Sequence, residues 1–288
     1  MRRIAVVLTS FNRKEETLHC LAALRKQPLP TDVQLTVFLT DDASQDGTPE
    51  AVIVMFPEVV LLRGDGNLYW NGGMRRGFGE ALKKDFDFYL WVNDDTCLVP
   101  DAIARLLATH EQLLAQIKHS PIVVGSIHDP NNGQLTYGGV VRASHLRRLR
   151  FSMIEPNSAS QRCDTMNGNC VLISRETASV VGNISPDFTH AMGDFDYGLR
   201  ARTAGFSTWV APGYFGTCSL NPVKGTWEDS TRSLFYRWRQ IRHVKGLPLK
   251  EWMTFARRHA GPFWPFFWIS PYLRMLTVGL WPESRPYL

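Results

Sequence analysis

Apolar and polar positions alternate in blocks along the first hundred residues. Residues 3–9 are a β-branched run closed by the polar Ser10-Phe-Asn-Arg13, a pattern that predicts a buried strand running into a loop. Helical spacing follows over 14–27. A second strand pattern at 33–39 stops at Thr40-Asp-Asp-Ala-Ser-Gln-Asp-Gly47, and 48–56 returns as a helix with Pro49 in its first turn. A short strand over 59–63, a break at Gly64-Asp-Gly-Asn67, a helix over 72–84 and a strand over 86–92 complete the series. Four strand-helix alternations predict a parallel, doubly wound sheet, and in such sheets ligands collect beyond the carboxyl ends of the strands. The polar clusters 10–13, 41–42, 65–71 and 93–96 each follow a predicted strand, so one crevice can gather them.

The pattern loosens afterwards. A helix at 100–117, a strand at 122–126, hairpin signals within 129–164 and a strand at 170–174 predict a mixed second half. No stretch rich in Pro, Gly or Ser divides the chain before about residue 225. The expected organisation is therefore a main unit over 1–225, with halves of about 1–100 and 101–225, followed by an extension over 226–288.

Charge sets that extension apart. The chain carries +5 overall, yet residues 231–288 hold ten Lys/Arg against two Glu, so the tail carries +8 and the remainder −3. Trp238, Trp252, Trp264, Trp268, Tyr272 and Trp281 are interleaved with that charge. Such a composition suits an anionic bilayer surface or a nucleic acid, and a membrane surface is the expectation here. Pro262, Pro265, Pro271 and Arg274 make the segment a poor spanning helix. A dimer contact or a cover for the catalytic core would explain the same aromatics.

Composition bounds the rest. With 44% hydrophobic residues in 288, the chain can bury a full core. The first thirty residues lack the succession of a signal peptide, so the expected location is the cytoplasm, peripheral on the inner membrane face. Five cysteines without a C-x-x-C pair argue against a disulfide framework and a zinc knuckle, and all five are expected as buried reduced thiols.

Two acidic clusters carry the candidate chemistry. Asn93-Asp-Asp-Thr96, after an apolar strand, offers oxygen ligands suited to Mg²⁺ or Mn²⁺ bridging a diphosphate; a solvated turn with Asp95 capping the next helix is the alternative. Asp194 and Asp196 precede the helical pattern from Leu199, where the helix dipole accounts for either one alone. A carboxylate placed opposite a bound diphosphate can also serve as a general base, and this second cluster can supply one.

Five ordered motifs over about residues 4–210 resemble glycosyltransferase family 2. Thr9-Ser-Phe-Asn-Arg13 is similar to the family's T-S/Y-Y/F-N opening, and Thr40-Asp-Asp-Ala-Ser-Gln-Asp-Gly-Thr48 to its D-D-x-S-x-D-G-T segment. Gly66-Asn-Leu-Tyr-Trp-Asn-Gly-Gly-Met-Arg-Arg-Gly77 resembles the Gly-rich stretch of the rhamnosyltransferase-like branch. Leu90-Trp-Val-Asn-Asp-Asp-Thr96 resembles the DxD motif, and the segment from Gly193 to Gly205 resembles E-D-x-D-x-x-x-R-x-x-x-x-G.

The resemblance implies the α/β GT-A fold, a Rossmann-like, mostly parallel sheet, here with a helical, aromatic-rich C-terminal extension. It implies an inverting transferase that uses a dTDP- or UDP-sugar donor and a Mg²⁺ or Mn²⁺ ion. The implied acceptor is a saccharide, free or lipid-linked, in bacterial-type surface polysaccharide synthesis such as O-antigen. Phe11 would stack on the base, with Thr9, Asp41 and Asp42 holding base and ribose; Arg75 would meet the diphosphate. Asn93 and Asp95 would hold the metal, with Asp94 between them on the donor side. Asp194 would be the base, Asn167 and Gly168 would lie toward the acceptor, and Asp196, on the acceptor side, would more readily fix the loop and the start of the helix.

Three positions depart from the family pattern. Gly193 replaces the Glu before the base, Arg75 replaces an Asn, and 212–219 lacks the metal-binding His. A nucleotidyltransferase of similar fold is disfavoured because 10–13 is not a Gly-rich loop. A non-catalytic membrane-surface or nucleic-acid-binding protein leaves the acidic clusters without a use.

Overall fold

The computed structural model describes residues 1–144 and 148–276. Its first half alternates β1 (Arg2–Ser10), α1 (Lys14–Arg25), β2 (Val33–Asp41), α2 (Thr48–Met55), β3 (Val60–Arg63), α3 (Tyr69–Leu82) and β4 (Phe88–Val92). β1 is buried from Ile4 onward because helices cover both faces of the sheet. Ile4, Val6 and Leu8 pack toward α1, α2 and α4 (Ala102–Leu114), whereas Ala5 and Val7 pack toward α3 and two later helices. A strand covered on both sides reads as an unbroken apolar run, which is why 3–9 shows no alternation. β1 pairs in parallel with β2 and β4, and β2 with β3. The register Thr9↔Thr40 and Ser10↔Asp41 brings two of the polar loops to one level.

The second half adds β5 (Cys97–Leu98), β6 (Ile122–His128), β7 (Leu135–Tyr137), β8 (Gly139–Arg142), β9 (Phe151–Met153), β10 (Gln161–Cys163), β11 (Thr165–Met166), β12 (Cys170–Ser174), α5 (Arg175–Val181), α6 (Gly193–Thr203) and β13 (Thr208–Thr217). The main sheet runs β10-β13-β6-β12-β4-β1-β2-β3, with β5 on β13 and β7 on β6. β12 is antiparallel to both β4 and β6, so it joins the parallel first half to the mixed second half. A smaller sheet holds β11, β8 and β9.

Two boundaries differ instructively from the sequence expectations. α6 begins at Gly193, so Asp194 and Asp196 lie inside its first turn, where the unpaired amides favour carboxylates. β13 continues through Pro212 to Thr217; Pro212 falls in a register shift against β6, where a residue without an N–H is tolerated. All five cysteines are free, and Cys97 is exposed, contrary to the expectation of a buried thiol.

The tail folds into α7 (Leu234–Ile241), α8 (Leu249–His259) and α9 (Trp264–Met275), while 277–288, including Trp281, lie outside the described residues. Pro271 removes a helical bond that Phe267 O would accept, and the Ser270 hydroxyl donates to that carbonyl instead (3.0 Å). Ile241, Trp252, Phe255, Tyr272 and Met275 share one buried cluster with Phe151, Phe188, Phe195 and Leu199 of the preceding region. Each such side chain contributes about 1.5–3 kcal/mol on burial, so the tail helices are built into the core. Their other faces leave Phe235, Trp238, Phe263, Phe266, Ile269 and Leu273 exposed. Among the described residues, no helix is long and apolar enough to cross a membrane.

Candidate active site

A cleft of about 560 Å³ opens at the carboxyl ends of β1, β2 and β4 and is closed on its far side by the turn before β12 and the start of α6. The loops around it are strained. Among the described residues, the non-glycine positions with left-handed backbone are Asn12, Ala43, Tyr69 and Met192, with φ of 51°, 60°, 53° and 71°. Each sits on or beside the cleft wall, and such conformations persist where the surroundings hold them in place.

Phe11 stands half-exposed on the cleft wall after β1, an aromatic face available for stacking. Thr9 lies beneath it, its hydroxyl donating to Thr40 O (3.1 Å). A Cβ on Gly73 would overlap Thr9 Oγ1, so glycine there lets α3 settle onto the end of β1. Asp42 reaches the cleft, but its carboxylate is occupied by the loop before α3: Oδ1 accepts from Gly66 N (2.8 Å), and Oδ2 from Leu68 N (2.9 Å) and Tyr69 N (3.0 Å). Two candidates lie elsewhere. Asp41 is fully buried behind Asp42 and accepts from Ser44 N, and Arg75 points its guanidinium at the carbonyls of Ser185 and Phe188. Neither lines the cleft.

The cluster after β4 is held by its neighbours. Asn93 Oδ1 accepts from the Trp70 indole N–H at 2.7 Å. Asp95 accepts from the Cys218 thiol through Oδ1 (3.3 Å) and from Arg13 Nη1 through Oδ2; the same Arg13 nitrogen lies 3.4 Å from Asp94 Oδ1. Burial and the neighbouring Asp95 charge raise the Asp94 carboxyl to about 7, against the opposing pull of Arg13. Asp94 Oδ2 is buried without a hydrogen-bond partner among the described residues. A buried, unpartnered carboxylate oxygen beside a second carboxylate fits a hard divalent cation. The carboxamide of Asn93, already committed to Trp70, fits one less well.

Across the cleft, the Asp194 carboxylate is fixed by two backbone donors, Phe195 N to Oδ1 (2.8 Å) and Gly168 N to Oδ2 (3.0 Å). Burial pushes it up to about 6, and those two bonds only partly offset the shift. Gly168 is wedged between Asp194 and the Trp70 ring, which a Cβ would strike. Asn167 lines the same wall and is tied to Gly138 through backbone and side chain. A Cβ at Gly193 would overlap Asn71 Oδ1, so Asn71 fills the space where the family pattern has its Glu side chain. Asp196 is not on the wall. It is fully buried, with Arg200 Nε on Oδ2 (2.7 Å) and both His259 Nε2 (2.9 Å) and Arg258 Nη1 (3.2 Å) on Oδ1. No oxygen remains for an acceptor.

The cleft also holds Asn169, Asn221 and Lys245, which the sequence expectations left out, together with Ser10, Arg13 and Tyr69 from the expected polar clusters, to which no role was given. Arg13 was visible inside the first motif, whereas nothing in the pattern marked Lys245, which arrives from the loop between α7 and α8. Trp70 and His190 line the wall as well. Burial and the nearby cations Lys245, Arg13 and His243 lower His190 to about 4, so it is neutral at pH 7.

Known proteins share this fold. The mannosyltransferase PcManGT from Pyrobaculum calidifontis, solved with GDP-Man and Mn²⁺, aligns with 99% of this chain and 77% of its own at a TM-score of 0.57 and 16% identity. Residues 1–349 of S. aureus TarS, solved with UDP, align with 98% of this chain and 76% of their own at a TM-score of 0.56 and 12% identity. These likenesses establish the GT-A fold. In sequence, the galactofuranosyltransferase GlfT2 of Mycolicibacterium smegmatis is 28% identical over 238 residues, covering 73% of this chain and 36% of that protein. The N-acetylglucosaminyl-diphospho-decaprenol L-rhamnosyltransferase of Mycobacterium tuberculosis is 26% identical over 231 residues, 73% of each chain. The chain thus spans just over a third of the length of GlfT2. The sequence model of glycosyl transferase family 2 matches residues 5–177, from β1 with Thr9 into α5 and through the loops carrying Asp42 and Asp94-Asp95, and the chain belongs to that family.

Proposed function

We propose that this chain is an inverting glycosyltransferase in which Asp194 is the base. The observation that carries the reading is the pairing across one cleft of a raised, backbone-fixed Asp194 with the Asp94-Asp95 carboxylates and an exposed Phe11. A nucleotide base stacks on Phe11 beside Thr9, in a loop shaped by Asp42. The diphosphate lies toward Asp94 and Asp95, the carboxylates that would hold a Mg²⁺ or Mn²⁺ ion; when bound, such an ion neutralises the charge of the leaving diphosphate. Asp194 takes the proton of the acceptor hydroxyl, the acceptor oxygen bonds to the anomeric carbon, and the bond from that carbon to the diphosphate breaks with its electron pair leaving on the nucleotide. Gly168 N and Phe195 N hold the carboxylate in place for the transfer.

The acceptor is a saccharide, lipid-linked, of the kind used in surface polysaccharide synthesis. The name of the M. tuberculosis rhamnosyltransferase, an enzyme acting on a diphospho-decaprenol-linked sugar, supports a lipid-linked acceptor here. The tail supports it too. Exposed Phe235 and Trp238 on α7, Phe263 just before α9, and Phe266 and Leu273 on α9 share the surface with Arg239, Arg242, Lys250 and Arg257, which suits the boundary of an anionic leaflet. Nucleotide binding tests the reading directly: UDP or dTDP with Mn²⁺ should raise the melting temperature, and a nucleotide diphosphate at a hundred times its Kd stabilises by about 2.7 kcal/mol. No shift with either nucleotide at millimolar concentration contradicts a donor site.

A further inference from the structure

We propose that Arg13 is an exchangeable counter-ion: it neutralises Asp94 and Asp95 in the free protein, yields them to a divalent cation, and then pairs with the nucleotide diphosphate. The inference rests on the glycosyltransferase reading above.

Arg13 Nη1 contacts Asp95 Oδ2 and lies 3.4 Å from Asp94 Oδ1. The Arg13 side chain is 40% exposed and that of Asp94 8%, so the guanidinium covers the buried carboxylate from the cleft side. Its hold is partial. Nη1 is the guanidinium nitrogen with hydrogen bonds, and among the described residues Nε and Nη2 have none. Arg13 is also the residue before α1 and caps nothing with its side chain, so helix stability does not bind it to this position.

The other ligands of the cluster are arranged differently. Asn93 Oδ1 is tied to Trp70 and Asp95 Oδ1 to Cys218, and neither partner is a cation. Asp94 Oδ2 is buried and unpartnered. Asp95 Oδ2 is therefore the contested oxygen: a divalent ion and the Arg13 guanidinium cannot both sit on it without strong like-charge repulsion at low local dielectric. In the free protein the two compete. Once a diphosphate lies in the cleft, a displaced Arg13 meets new negative charge within reach, and a guanidinium pairs well with phosphate oxygens. Competition then becomes cooperation.

This sign reversal is the testable content. Mn²⁺ binding to the full chain is measured from the electron paramagnetic resonance signal of free Mn²⁺, with and without UDP, for the wild type, Arg13→Gln and Arg13→Lys. Without UDP, Arg13→Gln should bind Mn²⁺ roughly tenfold more tightly, since a charge-assisted competitor is gone. With saturating UDP the advantage should vanish or reverse, so the factor by which UDP strengthens Mn²⁺ binding falls by roughly tenfold or more. Arg13→Lys, which keeps the charge, should stay near the wild type without UDP. Unchanged or weaker Mn²⁺ affinity of Arg13→Gln in the absence of UDP overturns the proposal, as does an unchanged UDP effect. Absence of Mn²⁺ binding to all three proteins while UDP still binds also overturns it and leaves the glycosyltransferase reading standing.

Discussion

His259 Nε2, on the last turn of α8, lies 2.9 Å from Asp196 Oδ1, on the first turn of α6 and two residues beyond Asp194. With Arg258 on the same oxygen and Arg200 on the other, a tail helix is pinned directly to the helix that carries Asp194. Burial would raise the Asp196 carboxyl, yet the His259 hydrogen bond and the Arg200 guanidinium hold it below its ordinary value.

Asp196→Ala removes the anion and leaves the Arg200 and Arg258 guanidinium groups without their buried carboxylate. Breaking a buried pair in this way costs about 3–5 kcal/mol, so the variant should show a loss of that order in denaturant unfolding. A loss under about 1 kcal/mol together with weakened acceptor binding would return Asp196 to the acceptor site.

The ionisation of Asp194 should appear in stability as well as in rate. Its folded value of about 6 lies above the ordinary 3.8, so the folded state binds this proton more tightly than the unfolded chain. Ionisation therefore costs folding free energy, fully above pH 6 and only slightly at pH 4. Asp194→Asn sacrifices one backbone-accepting oxygen at every pH but escapes this cost, so it should gain on the wild type by roughly 2 kcal/mol between pH 4 and pH 7.5. A pH-independent difference between the two proteins would mean that Asp194 ionises normally. As a base, Asp194 should also lose activity below about pH 6, where it becomes protonated.

Membrane docking is best tested on the surface. A truncation before α7 would uncover Phe151, Phe188, Phe195 and Leu199, so its failure to bind vesicles would be ambiguous. Phe235→Ser with Phe266→Ser alters two exposed side chains, and co-sedimentation with anionic vesicles should fall by at least about tenfold without a change in melting temperature. Equal co-sedimentation of the double variant and the wild type contradicts docking through α7 and α9.

The first half was legible because strands covered on both faces and their polar ends form local patterns: residues 3–9 and 93–96 each announce themselves within a few positions. The structural part of Asp196 was legible from its place at a helix start, but its partners were not, because His259 and Arg258 stand more than sixty residues away and the pattern looks the same whether a carboxylate faces solvent or core. Arg75 misled for a related reason, since a cation on a helix near a diphosphate site does not reveal which carbonyls it will reach. Lys245 shows the same limit from the other side, a cleft residue delivered by a loop that only the packing of α7 and α8 brings near.

The central claim concerns what Asp194 does, and release of nucleotide diphosphate from a panel of UDP- and dTDP-sugars measures it most directly. With Mn²⁺ and a lipid extract as acceptor source, the wild type should turn over at least one donor. Asp194→Asn should lower kcat on that donor by about 10²–10⁴-fold with little change in donor KM, as expected when a base is lost and nucleotide contacts remain. Equal turnover by the two proteins would contradict the assignment of the base and, with it, this account of the cleft.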